Sequence, residues 1–169
     1  MRTIGVLLII LLTRSEIPLS PPNLVPEPIS LQEHICLQSQ IYHVDPAIVF
    51  GLVERESDWN PNAISRRHAI GLMQVLLPTA QYVMKDSLLT AQQLLEPYRN
   101  IHIGIAYLSY LQNNFKNYRR ALSAYERGET RIAKERSIKN LWYVNSILRN
   151  SRHYQSVVDS IKLIFNTHK

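Results

Sequence analysis

A single cysteine, Cys36, stands among 169 residues. It can close no intramolecular disulfide, and it excludes metal centres built from paired cysteines. Glycine is scarce too, with five in the whole chain, and alternating runs of β-branched residues are few, so a helical fold is favoured over a sheet-rich one. The six histidines lack His-Glu-x-x-His spacing, and neither a phosphate-binding loop nor a Gly-x-Ser-x-Gly elbow occurs. No cofactor and no metal is expected. Hydrophobic residues make up 46% and charged ones 19%, which argues against wholesale disorder and for one domain with a real core.

Charge is lopsided. Lys and Arg outnumber Asp and Glu by 19 to 13, and the net charge of +6 suggests an anionic partner: nucleic acid, phospholipid or an acidic wall polymer. Arg119, Arg120, Arg127, Arg131, Lys134 and Arg136 are interspersed with Glu126, Glu129 and Glu135. That mixture reads as a solvated face, and no specific nucleic-acid partner is expected.

At the start, Met1-Arg2-Thr3 leads into an apolar run from Ile4 to Leu12. The run is well short of the roughly 20 residues that span a membrane, but it suits the core of a signal peptide. No Ala-x-Ala site follows, so removal by signal peptidase and retention as a short N-terminal membrane anchor both stay open. Residues 1–17 are assigned to this segment and 18–29, rich in proline, to an extended linker. The folded domain is expected over 30–150, followed by a C-terminal helical extension over 151–169. Its apolar stripe of Tyr154, Val157, Val158, Ile161, Ile164 and Phe165 could pack on the domain or dock a partner.

Helix signals recur along the domain. Ser30-Leu31-Gln32-Glu33 has the capping-box form, and Gln38 interrupts the apolar face that follows it. Asp45-Pro46 opens a helix running to about Ser57. Further helices are expected from Pro78, after Thr90, from Asn100 to Asn114, from Arg119 to a stop at Gly128, from about Ile138 to Arg149, and from Ser151 to Phe165. The architecture is all-α.

One residue breaks the amphipathic rule. Val49, Leu52, Val53 and Glu56 fall at i, i+3, i+4 and i+7, so a carboxylate shares the core-facing stripe while Glu54 and Arg55 lie well away from it. A carboxylate against apolar walls loses hydration, which favours its protonated form and fits it for general-acid work. A helix-end glutamate bent back to solvent would fit the periodicity equally well.

The residues that follow decide between these. Glu56-Ser57, Asn60-Pro61-Asn62-Ala63-Ile64-Ser65, Gly71-Leu72-Met73-Gln74, Pro78-Thr79-Ala80, Asn100-Ile101, Gly104 to Leu108, Ala124-Tyr125-Glu126-Arg127-Gly128 and Tyr143 together resemble the soluble lytic transglycosylase family in order and spacing. The resemblance implies a lysozyme-like, multi-helix domain that cleaves the MurNAc-β-1,4-GlcNAc bond of peptidoglycan and leaves 1,6-anhydro ends. It implies Glu56 as the sole acid and base, with Ser65, Met73, Gln74, Tyr125 and Tyr143 as substrate-binding residues; Met73 also suits simple packing. Glycan strands would be the partner, an exported, periplasmic or cell-envelope location the setting, and a secretion or conjugation complex the machine served. Two residues depart from the family pattern. His68 stands where a glycine is usual, and strain follows if that position needs positive φ. Glu126 replaces an asparagine; facing solvent, the favoured placement, it changes nothing, whereas facing the cleft it would raise the Glu56 pKa or assist a water. A hydrolytic muramidase and a weakened, wall-binding assembly component are the alternatives.

Overall fold

The computed structural model of the chain describes residues 30–167. The signal or anchor segment and the proline-rich linker therefore lie outside the described residues. Helix α1 (Leu31–Ile41) opens on the expected capping box, in which the Glu33 amide donates to Ser30 Oγ and the Ser30 amide to Glu33 Oε2, at 3.2 and 2.7 Å. The polar interruption has a partner: Gln38 Oε1 lies 2.8 Å from His102 Nδ1. Helix α2 (Pro46–Ser57) starts where Asp45 Oδ1 accepts from the Ala47 amide, and everything from Ala47 to Val53 is buried.

A two-stranded antiparallel hairpin follows, β1 (Ala69–Ile70) and β2 (Val75–Leu76), in which Ala69 faces Leu76 and Ile70 faces Val75. Helices α3 (Leu77–Met84), α4 (Ala91–Leu94), α5 (Pro97–Phe115), α6 (Tyr118–Arg127), α7 (Glu129–Lys134), α8 (Leu141–His153) and α9 (Gln155–Thr167) complete the domain. The long helix α5 starts earlier than expected because Glu96 caps the Tyr98 and Arg99 amides ahead of Pro97. Helix α7 was unexpected: Gly128, at φ +89°, ends α6 and begins α7 at once.

Helices α2 and α8 form the closest pair, and Gly51 is the reason. A Cβ there would lie 2.6 Å from the Ile147 carbonyl oxygen and 2.8 Å from the Ser151 nitrogen. Only a bare Cα lets the two backbones approach. Gly51 meets Ile147 and Ser151 while Glu56 meets Tyr143, so the helices run antiparallel and the register carries the end of α2 to the start of α8. Val144 and Ile147 on α8 and Val49 and Val53 on α2 are fully buried. The boundary expected at residue 150 falls inside α8, and Val158 and Ile161 of α9 sit in the same core. The C-terminal segment is part of the domain. Among the described residues no helix is long and apolar enough to cross a membrane.

Candidate active site

Glu56 lies in the last turn of α2. The helix stops there because Asp58 takes the left-handed conformation at φ +51°, which Asp tolerates better than most residues, and its amide closes on the Glu54 carbonyl. Glu56 is half-buried, with an edge left open for a substrate. The carboxyl group itself is packed among protein atoms, and the lost hydration is the main cause that pushes its pKa from the ordinary 4.5 up to about 7. Tyr143 Oη donates a hydrogen bond to Glu56 Oε1, which favours the ionised form and opposes the shift, as does the Arg55 guanidinium. The Glu126 charge adds to it. Desolvation wins. With Oε1 accepting from Tyr143, the exchangeable proton belongs on Oε2.

Tyr143 is only 2% exposed, and its hydroxyl is held un-ionised by burial and then by the neighbouring Glu56 charge. Its ring carries Arg55 on one side, with the guanidinium carbon 5.8 Å from the Tyr143 centroid and 4.7 Å from that of Trp142. Arg55 is therefore drawn over the aromatic pair and half-buried, where periodicity had placed it in solvent. Trp142 is 61% exposed; Trp59 packs against Phe50 and Tyr154 and donates to the Tyr154 hydroxyl at 2.9 Å.

The loop from Asp58 to Val75 is bent sharply: Asp58, Trp59, His68 and Gln74 are non-glycine residues with positive φ, joined by Gly71 at +75°. His68 does occupy the left-handed region at +59°, in a turn closed by its amide on the Ser65 carbonyl. Asn100, fully buried on α5, pins the far side of this loop. Its Nδ2 donates to the Ile70 and Leu94 carbonyls at 2.8 and 2.9 Å, and its Oδ1 accepts from the Met73 amide at 2.8 Å. A Cβ on Gly71 would lie 2.4 Å from Asn100 Nδ2, so glycine is required by the amide as well as by φ.

A groove runs beside this loop, lined by Arg67, Gln74, Leu76, Thr79, Tyr107, Tyr125 and Glu126. Gln74 is anchored by its own amide, Nε2 donating to the Ala63 and Gly71 carbonyls at 3.0 and 2.9 Å. Tyr125 Oη donates to the Met73 carbonyl at 2.9 Å, and burial followed by the Glu56 charge keeps that phenol protonated. Glu126 is half-buried and lines the groove, which corrects the solvent-facing placement. The reason is Asn140, buried at the head of α8: its Nδ2 donates to Glu126 Oε2 at 2.5 Å while its Oδ1 accepts from Ser123 Oγ.

Of the residues singled out from sequence, Gln74 and Tyr125 line the groove, while Glu56 and Tyr143 are hydrogen-bonded to each other behind it, within electrostatic reach of Tyr125 and Glu126. Two behave differently. The Met73 side chain is fully buried, and its sulfur and Cβ fill the space a side chain on Gly104 would need. It is a packing residue that contributes its carbonyl to Tyr125 and its amide to Asn100. Ser65 Oγ accepts from the Ala69 amide at 3.1 Å, closing the turn at the hairpin. Asn140 and Ser123 were missed, since a capping asparagine and a small helical serine give no periodic signal. The structural role of Asn100 had one: it breaks the apolar stripe of α5 as Glu56 breaks that of α2. Among the described residues no group of three or more His, Cys, Asp and Glu side chains could hold a metal.

The helices form a lysozyme-like, all-α scaffold that sets one desolvated carboxylic acid within electrostatic reach of Tyr125 and Glu126 on the groove wall. The family model described as Transglycosylase SLT domain matches residues 34–141, and the chain belongs to that family. It is 37% identical over 103 residues to the membrane-bound lytic murein transglycosylase C of Edwardsiella ictaluri, covering 55% of this chain and 29% of that relative. Lytic transglycosylase Slt of Pseudomonas aeruginosa, solved as an inactive mutant, superposes with a TM-score of 0.69 at 24% identity over 78% of this chain and 25% of that one. The 70 kDa soluble lytic transglycosylase of Escherichia coli gives the same score at 24% identity, covering 77% and 25%. The chain thus spans under a third of the length of these proteins.

Proposed function

We propose that this protein is a peptidoglycan lytic transglycosylase in which Glu56 acts alone, first as acid and then as base. The observation that carries the reading is a carboxylic acid that keeps its proton near neutrality, hydrogen-bonded by Tyr143 and within electrostatic reach of Tyr125 and Glu126, which line a groove with Gln74. Glu56 Oε2 would protonate the oxygen linking N-acetylmuramic acid to N-acetylglucosamine as that bond breaks. The resulting carboxylate would then take the proton from the muramoyl 6-hydroxyl as its oxygen closes on the anomeric carbon. One C–O bond is lost and one formed, the proton is returned to Glu56, and no water enters. A second carboxylate is unnecessary because the substrate supplies its own nucleophile. Tyr143 and Tyr125 hold the acid and the groove wall, and Gln74, its Nε2 committed to the Ala63 and Gly71 carbonyls, presents its amide oxygen to a sugar hydroxyl. Family membership and the names of the relatives support this substrate; the net charge of +6 suits an anionic sacculus.

The same reading places the protein in the cell envelope on the exported side, where residues 1–17 would direct or tether it and 18–29 would space the domain from the membrane. Opening the wall for a secretion or conjugation apparatus is the use that analogy with the family suggests. The groove-facing Glu126 favours one alternative, a hydrolytic outcome in which that carboxylate assists a water. Mass spectrometry of products from purified peptidoglycan separates them. Wild type is expected to release anhydro-muropeptides and Glu56→Gln essentially none. Reducing-end products would indicate a muramidase, and an active Glu56→Gln protein would remove Glu56 from the chemistry.

A further inference from the structure

A series of aromatic rings leads on from the groove wall at Tyr107. Thr79 on α3 and Tyr107 on α5 form its rim, and one turn further along each helix stands another tyrosine, Tyr82 and Tyr110. Residues three apart lie on one helical face, so both pairs continue the same wall outwards. The rings touch in series: Tyr125 to Tyr107 at 5.1 Å between centroids, Tyr107 to Tyr110 at 6.4 Å and nearly parallel, Tyr110 to Tyr82 at 5.9 Å and edge-on. The series passes from the half-buried Tyr125 to a Tyr82 that is 66% exposed.

This outer stretch is fixed in place. Tyr110 Oη donates to Glu129 Oε2 at 2.9 Å, and Asn114 Nδ2 donates to Glu129 Oε1 at 2.8 Å. Tyr82 Oη lies 3.5 Å from Tyr110 Oη. Packing accounts for the inner rings, but it leaves two-thirds of Tyr82 in water beside a carboxylate and an amide. Amphipathic rings with polar neighbours, held rigid at the mouth of a groove, suit a ligand with one apolar face and many hydroxyls.

On the reading that the groove takes peptidoglycan, we infer that Tyr82 and Tyr110, with Tyr107, form a distal shelf that binds a further sugar of the same glycan strand beyond the bond being cleaved. The shelf commits to a saccharide because its ring series begins on the groove wall itself, at Tyr125 and Tyr107. Its effect is on chain length: a strand that reaches Tyr82 is held better than one that stops at Tyr107.

The test uses the full chain carrying Glu56→Gln, so that ligands survive, and two probes, β-1,4-linked N-acetylglucosamine trisaccharide and hexasaccharide. The hexasaccharide is expected to bind about tenfold tighter, and Tyr82→Ala to erase most of that preference, while Tyr82→Phe retains it because the ring is kept. Leu163→Ala, exposed on α9, is the surface control and keeps the preference. Equal affinity for both probes, or a preference that survives Tyr82→Ala, overturns the shelf. Muropeptide release by the wild-type chain is scored separately, so loss of the length effect with release intact condemns the shelf alone, and absence of release condemns the enzymatic reading.

Discussion

Two glutamates lie within electrostatic reach of each other and are treated differently by the fold. Glu56 comes from α2, is stripped of water, and receives a single hydrogen bond from Tyr143. Glu126 comes from α6, lines the groove and is tethered by Asn140, itself fixed by Ser123. The first is held where its proton is retained near neutrality; the second is a fixed neighbouring charge that helps the first to retain it. Environment assigns the role, and the residue type does not.

The largest expected effect separates the two directly. Glu56→Gln should cut muropeptide release by roughly 10²- to 10⁴-fold, whereas Glu126→Gln should leave a readily measured rate. The same substitution should stabilise the fold in a pH-dependent way. The folded-state pKa of about 7 lies above the ordinary 4.5, so Glu56 contributes most to stability below pH 4.5 and that contribution is lost as pH rises through 7. At pH 8 the ionised, desolvated carboxylate costs on the order of 3 kcal/mol. Denaturant melts should therefore show Glu56→Gln more stable than wild type at pH 8 and close to it at pH 4.5. Equal differences at both values would mean that the acid is not desolvated.

Next comes the hairpin loop beside the groove, which Asn100 pins to α5. Asn100→Ala would strand the Met73 amide and the Ile70 and Leu94 carbonyls in the core, and a loss of roughly 3–5 kcal/mol is expected by chemical denaturation. A loss below about 1 kcal/mol would show that the loop finds other partners.

The two smallest effects move the pH profile in opposite directions. On the proposed mechanism the reacting form carries a protonated Glu56, so the rate should fall as pH rises through about 7. Tyr143→Phe removes a bond that favours the carboxylate, so the alkaline limb should move to higher pH, with a roughly tenfold loss of rate from poorer orientation. Glu126→Gln removes a repelling charge, so the limb should move to lower pH by a fraction of a unit. Shifts of the same sign would break the comparison.

Much of the scaffold was legible because helix ends announce themselves chemically. Ser30 with Glu33, Asp45 with Pro46, and Thr90 all cap the helices they were expected to cap. The hairpin was not legible, since strands of two residues leave no alternation to read. Glu56 was visible as a carboxylate in an apolar stripe. The orientation of Glu126 was not, because it depends on Asn140, fourteen residues away and on another helix. Met73 shows the converse: its motif position allowed both packing and contact with substrate, and its fully buried side chain fills the space beside Gly104. Motifs report which residues belong together and not which atoms they offer.

The central claim is that Glu56 holds its proton into the neutral range because the fold has removed its water. A carbon-13 NMR titration of the Glu56 side-chain carboxyl measures this without substrate. The midpoint is expected near pH 7. A midpoint near 4.5, the value of a solvated glutamate, would contradict the account.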